Sequence, residues 1–171
     1  LVPAIEGKCL LAIAMTEPDA GSDLSGMRSV ARRDGDDWIL NGQKSYISNG
    51  ILSDVVIVAA KTDPDKSHTM GLFLVERGMP GFERGRNLKK MGMKGQDTAE
   101  LFFEDVRIPA DNVLGHPEHG FFHLMEALAE ERLIAAVGNL AAAQLAIDIT
   151  RDYVRERHVF GKPLSKMQNT R

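Results

Sequence analysis

Glu131 and Arg132 stand side by side in 126-EALAEERLIAAVG-138, a stretch whose composition otherwise favours an apolar helix. On a helix, a residue shares its face with the positions three, four and seven away. For Glu131 these are Leu124, Ala127, Leu128, Ile134, Ala135 and Gly138, none of them polar. A carboxylate stripped of water by such neighbours has its pKa raised, which is what a general base working near neutral pH needs. The adjacent Glu130 shares its face with His123 and Glu126 among others and is a wetter control. On these residues alone a second reading stays open, in which Glu131 or Arg132 is half of a buried ion pair with another helix.

Two further stretches carry residue types suited to binding. In 15-MTEPDAGSDLSG-26 the glycines and serines could offer backbone N–H groups to a phosphate. Its acids, Glu17, Asp19 and Asp23, would repel a bare phosphate unless they cap the turn's own amides, and a purely structural loop is equally consistent. It is neither a GxGxxG motif nor a P-loop. In 46-YISNG-50, Tyr46 and Ser48 fall on one face of a strand. An aromatic ring and a hydroxyl two apart suit stacking on, and hydrogen bonding to, a flat heterocycle; ordinary half-buried strand packing is the competing explanation. His119 and His123 are four apart but lack a third ligand nearby, so no metal site is expected. Cys9 is the single cysteine, which excludes an intramolecular disulfide and a CxxC site and weakly favours a reducing compartment. No GxSxG motif points to a nucleophilic hydrolase.

The elements that position these residues divide the 171 positions into two differently written parts. Residues 1–115 read as β. DVVIVAAK, MGLFLVER and AELFFEDVRI are strand-length runs rich in β-branched and aromatic residues, separated by turn-forming TDPDKSH, RGMPG and LKKMGMKGQD. Asn41-Gly42, between WIL and QKSYIS, predicts a two-residue hairpin turn. RRDGDD at 32–37 reads as a solvated turn. Five or six such strands predict a small antiparallel barrel or sandwich. Residues 116–171 read as α: with no proline between Pro117 and Pro163, one helix, or two with a slight break, is predicted over about 118–157. Phe160-Gly161-Lys162-Pro163 ends it, and LSKMQNT reads as the start of a second helix with Ser165 as N-cap. The fold class is thus α+β, a β domain followed by a long helix of a helical bundle. Such a helix needs partners, so the chain reads as a piece of a larger protein or as one that borrows partners from another subunit. The opening LVPAIEGKCLLAIAMTEP reads as a chain entered mid-domain. A net charge of −3 argues against broad nucleic-acid affinity, and no unbroken apolar run of membrane-spanning length occurs.

Taken together, these segments resemble the acyl-CoA dehydrogenase family. MTEPDAGSDLSG is similar to the family's signature loop, NGQKSYISNG to its NGxKxxITNG segment, and FEDVRIPADNVLG and ERHVFGKPLSKMQ to two later motifs in the same order. The resemblance implies a flavoprotein with FAD between a middle β domain and the helices. Met15, through its backbone, and Thr16 would touch the pyrimidine end of the flavin. Gly21 and Ser22 would lie by the pyrophosphate, with Ser22 also near the thioester substrate. Tyr46 and Ser48 stand where the family more often has Trp and Thr, beside the isoalloxazine, with Ser48 near N5. Arg157, Phe160 and Gln168 match residues that reach the ADP part of FAD on a neighbouring subunit, which implies a homo-oligomer, dimer or tetramer.

Most of the family carries its catalytic glutamate downstream, but the long-chain and isovaleryl-type branch, which GFFHLMEALAEERLIAA resembles, carries it on this helix, immediately before an arginine. The resemblance therefore selects Glu131 as base, with Arg132 supporting the substrate site. The implied reaction is α,β-dehydrogenation of an acyl-CoA thioester to a trans-2-enoyl-CoA. Glu131 takes the α proton and flavin N5 accepts the β hydrogen as hydride. Electron-transfer flavoprotein is the implied acceptor, and bacterial cytoplasm or mitochondrial matrix the implied compartment. The alternatives are a related flavin oxidase or monooxygenase, or a cofactor-free, inactive fragment.

Overall fold

A computed structural model describes residues 2–66 and 68–170. The chain forms two compact units that divide between Leu124 and Met125. The first opens with a single helical turn, α1 (Val2–Ile5), and is otherwise built on seven strands: β1 (Leu11–Ala14), β2 (Val30–Asp34), β3 (Asp37–Ser48), β4 (Val55–Lys61), β5 (Met70–Glu76), β6 (Phe82–Asn87) and β7 (Thr98–Ile108). They form one sheet in the order β1-β4-β2-β3-β7-β6, with β5 also paired to β4, curled into a half-barrel.

The sheet is mixed, not purely antiparallel as predicted. β1 runs parallel to β4, with Leu11 opposite Val55 and Ala14 opposite Val58, and β2 meets β4 in a single parallel pair, Val30 with Lys61. Parallel neighbours need a long connection, and here residues 15–54 supply it, carrying the signature loop and β2–β3 on the way.

Both faces of β4 and β5 are covered, which explains why VVIVAA and MGLFLV are continuous apolar runs and not alternating ones. On one side Val56, Val58, Phe73 and Val75 pack with Leu40, Leu101, Val106 and Ile108; Trp38 meets Phe73 edge-on at 5.5 Å. On the other, Ala59, Met70 and Leu72 pack with Leu24, Met27 and Leu124.

The Asn41-Gly42 hairpin is not formed. Both residues lie inside β3, and the β2–β3 turn falls at Gly35-Asp36 within the RRDGDD segment. Arg107 on β7 braces that turn through Asp34 (2.5 Å) and Asp37 (3.2 Å). Gly42 answers to a packing constraint instead. Its φ is 149°, and a Cβ there would sit 2.2 Å from Ser29 Oγ. Asn41 exchanges two side-chain hydrogen bonds with Asp105: its Nδ2 donates to Asp105 Oδ1, and its Oδ1 accepts from Asp105 N–H, both at 2.9 Å. The sequence signal was genuine local chemistry with a different use.

A single helix without a break, α2 (Gly120–Glu156), follows. From Met125 onward it belongs to the second unit, where Leu133, Ile134, Val137, Leu140 and Leu145 are exposed. With a mean hydropathy of 1.6 over 18 residues it is long and apolar enough, by length and composition, to cross a membrane. No unbroken apolar run marks it in the sequence, because Asn139 and Gln144 interrupt the stretch. β8 (His158–Val159) and β9 (Lys162–Pro163) then form a small hairpin. The predicted second helix is absent among the described residues: LSKMQNT forms two 3-10 turns, Leu164–Lys166 and Gln168–Thr170. Ser165 lies inside the first; Pro163 holds the cap position without a side-chain hydrogen bond, and Met167 is extended.

Gly42→Ala should destabilise the protein by about 1–3 kcal/mol, the range for overpacking a filled site. Urea unfolding of the variant checks this; an unchanged midpoint would show that Ser29 can move aside.

Candidate functional site

The signature loop is held by its own acids. Glu17 and Ala20 exchange backbone hydrogen bonds (2.8 and 3.2 Å), closing a turn over Pro18-Asp19. The Glu17 carboxylate turns inward, where it accepts from Arg28 N–H (2.6 Å), Ser29 N–H (3.0 Å) and Lys44 Nζ (2.7 Å). Asp23 accepts from Ser25 N–H (2.9 Å), capping the 3-10 turn Leu24–Gly26, and Asp19 pairs with Arg28 at 3.1 Å on the surface. All three carboxylates thus have structural partners, and Gly21 and Ser22 remain exposed. The repulsion that counted against a phosphate cradle is reduced by this arrangement.

Lys44 joins the loop to β3. Its side chain is fully buried and donates to Met15 O (3.1 Å) as well as to Glu17. One residue on, Ser45 N–H donates to Thr16 O at 2.9 Å. Burial pushes the Glu17 carboxyl up, but the Lys44 charge, with hydrogen bonds from Lys44, Ser29 and Arg28, outweighs it and holds the group below its usual value. At Lys44 the balance is reversed: burial pushes the ammonium down to about 8 against the pull of Glu17. Glu17 collects three donors, whereas Lys44 has only two acceptors for three protons.

The same stretch of β3 carries Tyr46 and Ser48, both exposed. The register with β7 shifts between Lys44 and Ile47, and Tyr46 sits in that bulge at φ 60°, 70% exposed. A non-glycine residue in the left-handed region is uncommon and concentrates where function over-determines the backbone. Met15, Thr16, Tyr46 and Ser48 are therefore assembled into one region by Lys44, a residue the sequence reading passed over. The available signal was a lysine in an inward position of a strand that follows an acid-containing loop.

The second unit carries the remaining candidates. Glu131 and Arg132 lie on α2, and both are exposed. Of the apolar neighbours of Glu131, Ala127, Ile134, Ala135 and Gly138 are exposed, Leu128 is half-buried and Leu124 is buried in the core of the first unit, so the expected burial of Glu131 is not supplied by the described residues. An apolar stripe lowers the local dielectric only once another surface covers it. Beyond the helix, Arg157 O accepts from Leu164 N–H at 2.8 Å, folding the segment back on itself. Phe160 and Gly161 are the two turn residues of the β8–β9 hairpin, with φ of 51° and 74°, a primed turn. Phe160 stands at its tip, 97% exposed, and Arg157 and Gln168 are exposed too. Both aromatic candidates, Tyr46 and Phe160, are thus presented from left-handed backbone. Among the described residues no group of three His, Cys, Asp or Glu side chains is placed to hold a metal.

An exposed aromatic ring and hydroxyl beside an anchored loop on a half-barrel, followed by a long helix, define a β domain and the start of a helical one. Residues 12–106 match the acyl-CoA dehydrogenase middle domain and residues 118–171 the acyl-CoA dehydrogenase C-terminal domain. The chain belongs to the acyl-CoA dehydrogenase family. It is 55% identical over 165 residues to the mitochondrial long-chain specific acyl-CoA dehydrogenase of Mus musculus, covering 95% of this chain and 38% of that protein. It is 44% identical to the mitochondrial isovaleryl-CoA dehydrogenase of Pongo abelii, covering 96% of this chain and 40% of that one. An acyl-CoA dehydrogenase from Geobacillus kaustophilus superposes with a TM-score of 0.92 at 48% identity, covering 98% of this chain and 45% of that chain. A Mycobacterium smegmatis glutaryl-CoA dehydrogenase in complex with FADH2 superposes at 0.87 with 38% identity, covering 98% and 42%. The chain therefore spans well under half the length of these relatives.

Removing one partner of a buried ion pair costs about 3–5 kcal/mol, so Lys44→Met should lower unfolding stability by that amount; a loss below about 1 kcal/mol, the level of an exposed pair, would contradict the assignment. The pH dependence has a definite sign. Because the folded carboxyl lies below 4.5, the unfolded chain binds more protons as pH falls through that interval. The contribution of Glu17 is thus present above about 4.5 and lost as pH falls through the folded value. Glu17→Gln should flatten the acid limb of the stability curve, read by urea midpoints from pH 7 to 3.

Proposed function

We propose that the protein of which this chain is part catalyses FAD-dependent α,β-dehydrogenation of acyl-CoA thioesters to trans-2-enoyl-CoA. The observation that carries the reading is the platform on β3: Tyr46 held at positive φ and exposed beside Ser48, next to a Met15–Thr16 backbone fixed by Lys44. These groups fit an isoalloxazine, with a ring to stack on, a hydroxyl for an edge and immobilised main chain at one end. The exposed backbone at Gly21 and Ser22 fits a pyrophosphate. Arg157, Phe160 and Gln168 would hold the ADP portion contributed to a neighbouring subunit.

FAD, when bound, supplies the acceptor for the β hydrogen and its electron pair. The chain's own tasks are alignment, exclusion of water and removal of the α proton. Glu131 is the base, with Arg132 supporting the substrate site and Ser22 near the thioester. The exposed apolar side chains of α2 from Met125 onward, those beside Glu131 included, are read as helix-packing surface in place of a membrane-facing one, in keeping with the family's C-terminal helical domain. Covering that surface would exclude water from around Glu131 and the α carbon of the substrate. Long-chain and branched acyl substrates follow from the named relatives; a homo-oligomer, electron-transfer flavoprotein as acceptor, and mitochondrial matrix or bacterial cytoplasm complete the proposal.

A second reading has one specific observation behind it. A structure of the prolyl acyl carrier protein oxidase AnaB superposes with a TM-score of 0.88 at 32% identity, so an oxidase occupies the same fold. Rapid oxygen consumption without an added acceptor would favour it.

In the full-length protein, Glu131→Gln should retain FAD absorbance yet lose acyl-CoA dehydrogenation by about a thousandfold, within the range for a positioned general base. Near-normal turnover would return Glu131 to an ion-pair role and move the base elsewhere.

A further inference from the structure

The charge of Lys44 is not met by Glu17 alone. The Glu17 carboxylate is shared among three donors, the backbone N–H groups of Arg28 and Ser29 and the ammonium itself. The ammonium is fully buried, and its other contact is Met15 O at 3.1 Å. A cation against a carbonyl oxygen in a setting of low dielectric polarises the whole peptide unit, because linked hydrogen bonds strengthen one another there.

The other end of that unit is the Thr16 N–H. The Met15–Thr16 peptide is trans and planar, so its N–H points away from its C=O and thus away from Lys44. Among the described residues this N–H has no acceptor, whereas the next one along, Glu17 N–H, donates to Ala20 O at 2.8 Å. Thr16 is half-buried, a place where a backbone donor is normally met by an acceptor. The main chain is pinned on both sides of it. Lys44 holds the carbonyl before it, and Ser45 N–H holds the carbonyl after it at 2.9 Å. Thr16 N–H is thus a polarised, fixed donor tied to β3 one residue before Tyr46.

We propose that Lys44 is a positioning residue that tunes the electron affinity of the cofactor through the Met15–Thr16 peptide. Its ammonium strengthens Thr16 N–H as a donor to the end of the heterocycle that gains negative charge on reduction. The inference rests on the flavoprotein reading above, in which this backbone meets the pyrimidine end of the isoalloxazine, and adds the source of the donor's strength. Two-electron reduction of an isoalloxazine puts negative charge on that end, so a fixed donor there holds the reduced form more tightly than the oxidised one. A donor already aimed where charge develops needs no reorganisation when the charge arrives. The buried pair then has two separable uses: Glu17 satisfies the amides of the loop, and Lys44 also polarises its edge.

The test uses full-length protein loaded with FAD. The midpoint potential of the bound flavin is measured in wild type, Lys44→Met and Glu17→Gln/Lys44→Met. The double variant keeps a side-chain oxygen for the Arg28 and Ser29 N–H groups and leaves no unpaired buried charge, which guards against the instability expected of the single variant. Relative to oxidised FAD, both variants should hold reduced FAD about tenfold less tightly than wild type does, a fall in potential of about 30 mV for a two-electron couple. A change in that ratio of less than about twofold in every variant that retains FAD, or a rise in potential, would overturn the proposal and leave Lys44 as an anchor only. Loss of FAD from both variants would overturn it as well, by showing that the pair is needed for the shape of the site. Wild-type full-length protein that carries no FAD and takes none up would instead defeat the flavoprotein reading itself, and this role with it.

Discussion

The buried pair between Glu17 and Lys44 is the constraint on which the β unit's candidate site depends. A lysine with no exposed surface is expensive unless its charge is met, and a carboxylate in the same position is no cheaper. Each is tolerated because the other is there, together with two backbone N–H groups and one carbonyl. The arrangement converts an otherwise loose excursion between β1 and β2 into a fixed edge. Because Lys44 and Ser45 reach Met15 and Thr16 directly, the loop's position is set by the same residues that precede Tyr46. The backbone at Met15 and Thr16 and the strand that carries Tyr46 are therefore tied together. Binding a flat ligand there would lose little further conformational freedom, which is the physical meaning of preorganisation.

The helical unit poses the opposite situation. α2 is continuous and well supplied with leucine, isoleucine and alanine, yet most of its apolar side chains from Met125 onward are exposed. Helix propensity and sequence pattern suffice to form it, but its amphipathic face gains stability only against a partner. Glu131 inherits this incompleteness. Its apolar neighbours on the helix shield it from water only where another surface covers them. Tyr46 and Phe160 differ in this respect, since each is already presented outward by a left-handed backbone within its own unit.

The strands and the long helix were legible because burial imposes periods that sequence records directly. Tyr46 and Ser48 are both exposed, but Tyr46 stands in a bulge at positive φ that the two-residue strand period does not describe. Asn41-Gly42 misled because a glycine required by the nearness of Ser29 looks the same in sequence as one required by a turn. The parallel β1–β4 pairing was invisible because pairing partners across 40 residues leave no local mark. Lys44 was missed for a related reason: its partner lies 27 positions earlier, and only the fold shows that a lysine and a glutamate point at one another. The 3-10 turns after Pro163 replaced a predicted helix because Ser165, a good N-cap by type, does not occupy the cap position.

The most direct test of this account is amide hydrogen exchange, comparing the wild-type protein with Lys44→Met. The N–H groups to follow are Arg28 and Ser29, which donate to the Glu17 carboxylate, and Ser45, which donates to Thr16. If the buried pair anchors the loop, these three amides should be protected in the wild type and exchange much faster in the variant, while amides of the β4–β5 pairing keep their protection. Protection at all three that survives loss of Lys44 would contradict the account, because the loop would then hold its place without the pair.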